Sequence, residues 1–138
     1  MRVRSYRDLS VWQKAMDMVE TCYRVTESFP GHQQFGLTSQ VQRAAVSVPA
    51  NIAEGHGRQT TGDYLRHLAM ARGSLTELET HVQIAARLRY LDAEAAERLL
   101  AATSEIGKML NGLITSLRKG KDPDRPIKAA QSEDGSEP

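Results

Sequence analysis

The chain has 138 residues, 40% of them hydrophobic and 25% charged, with a formal net charge of +1. That length suits one domain able to bury its own core, with no need of a disulfide or structural metal. No run of about 18 apolar residues is present to span a bilayer, and a single cysteine, Cys22, excludes both an intramolecular disulfide and a cysteine-based zinc site.

The opening residues, MRVRSYRDLSVW, carry charge but neither an uninterrupted apolar core nor a small-residue cleavage site. No secretory signal is read there, and a cytoplasmic location is expected. Aromatic residues amount to 5%, and β-branched runs bounded by turns are absent, so strands are not expected. Apolar residues instead recur at steps of three and four.

The first helix is predicted after an N-cap at Asp8 and before the stop signal Pro30-Gly31, with Val11, Ala15, Met18, Cys22, Val25 and Phe29 on one face. Cys22 on that stripe reads as a small buried hydrophobe. A second apolar row, Trp12, Met16, Val19 and Tyr23, follows the same spacing one position later. That is more apolar surface than one bundle interior uses, and self-association through this row is expected. The alternative is a wide core face with Trp12 and Tyr23 partly exposed.

The second helix is predicted from Leu37 to Glu54, with Leu37, Val41, Ala44, Val48 and Ile52 inward and Gln40, Arg43, Ser47 and Glu54 on another face. Ala44, Ala45, Ser47, Ala50 and Ala53 allow a neighbouring backbone to come close. Pro49 removes one helical N–H and crowds the carbonyl four residues back, which predicts a bend rather than a break. The stretch ends in Gly55-His56-Gly57-Arg58. One of those glycines is expected to turn left-handed and end the helix, with Thr60 capping the next. The competing reading is an anion site at a helix N-terminus with Arg58 as its cation, although no strand precedes it and the full phosphate-loop spacing is missing.

The third helix follows the Thr60–Asp63 capping pattern, with Tyr64, Leu68, Ala71, Leu75, Leu78, Val82 and Ala85 inward. The fourth opens at Asp92 as N-cap, with Glu94 in its first turn and Leu99, Thr103, Ile106, Leu110, Leu113 and Leu117 inward. Short links favour antiparallel neighbours, so the fold class expected is all-α, an up-and-down antiparallel four-helix bundle over residues 1–119. Residues 120–138, with three basic against five acidic side chains and several Pro, Gly and Ser, form an expected disordered tail of net charge −2, leaving +3 for the rest.

Chemistry is sparse along this chain. His67 and His81 share the third helix but stand about 21 Å apart at its rise, too far to hold one ion, and His32 and His56 are placed in loops. Surface or structural roles are expected for all four histidines, with no metal, no cofactor and no small-molecule substrate. Glu54 and His56 could serve as acid and base, yet no nucleophile or orienting group accompanies them. Arg43, Arg58, Arg66 and Arg72 cluster on the second and third helices. Arg66 lies about 200° from Tyr64 around the wheel, so it points away from the core. These four are the candidate positions to meet a nucleic-acid or other partner; the alternative, favoured because no aromatic residues interleave with them, is that they only solvate an outer face. Pro49, Asn51, Glu54, Gly55 and Gly57 form the structural motif.

The stretch VQRAAVSVPANIAEGHGRQTTGDYLRHLAMARGSLTELETHVQIAARLRYL, together with YRDLSVWQKA from Tyr6 to Ala15, closely resembles the bacterial four-helix-bundle family named for proteins encoded in intervening sequences of large-subunit ribosomal RNA genes. The resemblance implies a four-helix protomer that closes into a homopentameric ring. It also implies kinship with the accessory variability determinant proteins of diversity-generating retroelements, which bind a reverse transcriptase and its RNA. Those relatives are strongly basic, whereas this chain carries +3 before its tail. The functional expectation is a non-enzymatic oligomeric interaction module with RNA or a ribonucleoprotein as partner. The alternatives are a protein-binding or structural scaffold and, behind it, an enzyme using Glu54 and His56.

Overall fold

The computed structural model describes residues 4–120. The expected disordered tail, apart from Gly120, lies outside the described residues. Four helices carry the chain: α1 Ser10–Thr26, α2 Leu37–His56, α3 Thr61–Arg87 and α4 Ala93–Arg118. Each packs on its neighbour in sequence, α4 closes back on α1, and the diagonal pairs barely touch. This is the ring of contacts of an up-and-down bundle. The broadest contact is between α2 and α3, where the small residues of α2 let two backbones approach.

The inward faces follow from the periodicity. Every residue expected inside on α2 and α3 is buried, with Tyr64, Leu68, Leu78, Val48 and Ile52 wholly enclosed. On the outer helices the stripe drifts by one residue toward its end. Thr26 is buried where Val25 is only half-buried, and Ile114 replaces Leu113. A strict alternation of fours and threes has a period of 3.5, and a straight helix at 3.6 rotates away from it over several turns. Thr26 resolves its hydroxyl inside the bundle by donating to the Cys22 carbonyl at 2.9 Å and accepting from the Gln42 side chain at 3.1 Å. Thr103, fully enclosed, donates to Glu79 Oε2 at 2.7 Å and ties α4 to α3. Cys22 is completely buried, and burial pushes its thiol up to about 12, so it packs as an uncharged apolar group.

The helix ends correct several expectations. Asp8 does not cap α1. Its carboxylate accepts from the Arg4 and Ser5 N–H groups and, with Ser5, closes a capping box around a 3-10 turn at Tyr6–Asp8, so α1 starts after Leu9 without a side-chain cap. At the other end α1 stops at Thr26, well before Pro30-Gly31, while Phe29 still reaches the core from the connecting turn. Thr60 and Asp92 do cap α3 and α4, accepting from the backbone N–H of Asp63 at 3.1 Å and Ala95 at 2.8 Å. α2 has no side-chain N-cap of its own, and Gln33 Oε1 accepts from the Leu37 N–H at 3.0 Å instead.

The one non-glycine residue with positive φ among the described residues is Arg89, at 64°. It follows α3 in the αL position of a Schellman motif, with Tyr90 N–H on the Ala85 carbonyl and Arg89 N–H on the Ala86 carbonyl. An L side chain there costs about 1 kcal/mol that glycine avoids. Arg89→Gly is therefore expected to raise the urea midpoint by the equivalent of up to about 1 kcal/mol, and a lowered midpoint would count against this cap.

Candidate functional site

The stretch Ser47–Arg58 lies along the contact of α2 with α3, the most extensive in the bundle. α2 passes through Pro49 as one helix and continues to His56, so His56 is helical and not in a loop. Pro49 is buried. Neither glycine turns left-handed: Gly55 is inside α2, and Gly57, the C-cap, has φ −81°. Gly55 is needed for space. A Cβ there would stand 2.8 Å from the Cβ of His67 and 3.0 Å from Cδ1 of Tyr64, so the absence of a side chain is what lets α2 and α3 meet at the corner.

Along this contact runs a polar seam. The hydroxyls of Ser47 and Ser74 meet at 2.7 Å. The Asn51 amide donates to the Ser47 carbonyl at 2.9 Å and its hydroxyl at 3.1 Å, and Asn51 Oδ1 lies 3.2 Å from His67 Nδ1. Because the Asn51 amide nitrogen is committed to Ser47, its oxygen accepts and His67 carries its proton on Nδ1. His67 is 4% exposed, and its Nε2 has no partner among the described residues. Asn51 and His67 thus belong to the packing of the two helices.

The remaining chemistry of this stretch is separated. Two residues apart on a helix, Glu54 and His56 diverge by about 200°. Glu54 receives Arg58 Nη2 at 2.6 Å, and the His56 ring meets Tyr64 edge-on at 5.9 Å between centroids. The arrangement offers no acid and base aimed at one point. Among the described residues no three His, Cys, Asp or Glu side chains form a group that could hold a metal ion.

The four arginines differ in their partners. Arg58 is paired with Glu54, Arg66 lies 3.6 Å from Asp63, and Arg72 donates to Asn111 of α4 at 3.0 Å, on the other flank of α3. Exposed pairs of this sort hold their charges loosely. Arg43 alone of the four makes no hydrogen bond or ion pair with the described residues. It lines a groove of about 570 Å³ between α2 and α3, together with Phe35, Ser39, Gln40, Ser74 and Glu77. Phe35, from the turn before α2, is 92% exposed. No periodic stripe contains it, and a lone phenylalanine beside Gly36 has no partner at helical spacing, so sequence patterning does not single it out.

The second row of α1 is divided. Trp12 and Val19 are half-buried against the core, and Trp12 is covered by the Tyr6 ring at 5.2 Å in an edge-on arrangement. Met16 and Tyr23 are left 41% and 45% exposed. Among the described residues no helix is long and apolar enough to cross a membrane.

Comparison with known proteins supplies the context for these features. No curated protein matches the chain. Among solved structures, a protein of unknown function from the S23 ribosomal protein family of Bacteroides thetaiotaomicron is similar, with 24% identity and a TM-score of 0.69 over 75% of this chain and 97% of that one. This likeness speaks to the fold. The family model of the 23S rRNA-intervening sequence proteins matches residues 7–112, which takes in the first three helices, both sides of the seam and most of α4. The chain belongs to the 23S rRNA-intervening sequence protein family.

Proposed function

We propose that the protein is a non-enzymatic, self-associating interaction module whose partner is RNA or a ribonucleoprotein. The observation that carries the reading is the α2–α3 groove, where Arg43 makes no ion pair with the described residues, Glu77 of the same lining included. Such a cation is free to meet a phosphate without first giving up an internal partner. The kinship with RNA-binding accessory proteins of retroelements that the sequence resemblance implies supports the same class of partner. Self-association is supported by the apolar surface that Met16 and Tyr23 leave uncovered, and a homopentameric ring is the assembly that kinship implies.

Retention of RNA through purification, read as excess ultraviolet absorbance that nuclease removes, is the first test. Arg43→Glu is expected to weaken binding of single-stranded RNA more than the same change at Arg58, Arg66 or Arg72, which already have partners. The slope of log affinity against log salt should fall by about 0.7, the share of one phosphate that is no longer neutralised. RNA retention that is unchanged and insensitive to salt in the Arg43 variant would refute the electrostatic assignment. The second reading, a protein-binding scaffold without nucleic acid, is favoured by the pairing of three of the four arginines, and predicts no nuclease-sensitive absorbance.

A further inference from the structure

The groove between α2 and α3 has three properties that together describe one kind of ligand. Its rim carries Phe35, 92% exposed, with its ring open to solvent. Its wall includes Arg43, which is unpaired among the described residues. Opposite, on α3, lies Glu77, whose carboxylate makes no ion pair with Arg43. Its Oε2 lies 3.7 Å from Nε2 of His81, a half-buried ring with no hydrogen-bond partner among the described residues. Between them are Ser39, Gln40 and Ser74. A volume of about 570 Å³ falls within the range of small-ligand sites.

The lining argues against other occupants. An amphipathic partner helix needs an apolar trough for its anchors, and apart from Phe35 and Ala44 the walls here are polar or charged. A duplex is followed by several cations along its two backbones, and only one is present. One planar aromatic face, one arginine and one carboxylate acceptor match a single unstacked nucleotide: a base on the aromatic ring, its phosphate on the guanidinium, and an exocyclic amino group donating to the carboxylate.

We propose that the Phe35–Arg43–Glu77 groove is a one-nucleotide site for single-stranded RNA, selective for bases bearing an exocyclic amino group over uracil. Phe35 stacks on the base, Arg43 holds the phosphate, and Glu77 accepts from the amino group. Uracil presents the O4 acceptor where cytosine and adenine present the amino group, and an N3–H donor in place of their ring acceptor, so at the amino position it offers Glu77 no hydrogen. This assignment rests on the RNA reading above and locates it.

The test is fluorescence anisotropy of labelled octamers of cytidylate and uridylate with the full chain, its Phe35→Ala and Glu77→Gln variants, and sedimentation of each variant. Because Phe35 is almost wholly exposed, its removal leaves the core untouched. Phe35→Ala is expected to weaken binding of the cytidylate octamer by about 5- to 100-fold, the cost of one missing stack, with unchanged sedimentation. Glu77→Gln is expected to keep binding and to erase the preference for cytidylate over uridylate. RNA binding that stays equally tight after Phe35→Ala would overturn the groove assignment alone. A Phe35→Ala variant that loses self-association while its affinity for RNA is unaltered would overturn it in favour of a protein contact. Failure of the wild type to bind either octamer would remove the RNA reading and this site together.

Discussion

Replacing Gly55 with alanine is expected to destabilise the bundle by up to about 2 kcal/mol, in spite of alanine's preference for helix. Gly→Ala in a helix interior ordinarily gains about 1 kcal/mol. At Gly55 the added methyl would meet the Cβ of His67 at 2.8 Å, Cδ1 of Tyr64 at 3.0 Å and the Tyr64 carbonyl at 3.3 Å. A Cβ and a carbonyl are fixed to the backbone and cannot rotate away. The corner of α2 and α3 must open, which strains the seam from Ser74 to His67 and costs about 1–3 kcal/mol as overpacking. Gly73, in the middle of α3 with nothing within 4 Å of its absent Cβ, is the matched control. Gly73→Ala should raise stability by up to about 1 kcal/mol. Opposite shifts of the urea midpoint in the two variants are the result to look for, and a stabilised Gly55→Ala protein would show that the two helices are not held at this distance by packing.

The second large effect concerns assembly. In the double variant Met16→Glu with Tyr23→Glu, the protein is expected to sediment as a monomer at concentrations where the parent is oligomeric. Both side chains are close to half exposed, so the changes leave the core alone and should alter protomer stability by no more than about 0.5 kcal/mol each. Two carboxylates buried against an apolar partner would instead lose their hydration without gaining a counter-ion. Trp12 and Val19 are less informative, because their half-buried packing against the core makes any substitution a folding change as well. Light scattering of the parent provides the reference, and a parent that is monomeric at micromolar concentration would refute self-association itself.

The fold was legible because its information is local. Three- and four-residue spacing placed α2 and α3 with every inward residue correct, and Thr60 and Asp92 capped the helices as their residue types suggest. Errors arose where two local solutions competed. Asp8 serves equally well as an N-cap or inside a capping box, and the nearby Ser5 hydroxyl decided for the latter. Gly55 and Gly57 had an ordinary role as left-handed terminators, yet neither is used so. The reason Gly55 lacks a side chain is a neighbour on another helix, and that neighbour is invisible to any local rule. At the candidate site, Arg43 was legible as an outward arginine on α2, but not as the one of the four left unpaired, because the partners of the other three include Asn111, thirty-nine residues from Arg72.

From residues alone come the helices, their inner faces, the all-α class and the family resemblance, since periodicity, capping and motif all reside in consecutive residues. The antiparallel closeness of α2 and α3 decided the rest. It turned serine, asparagine and histidine, polar residues without an evident task, into a hydrogen-bonded seam. It also set Phe35, Arg43 and Glu77, drawn from a turn and two helices, around one groove. Which side chains meet across an interface depends on the rotation and separation of two helices, and those are settled by summed packing over their whole length.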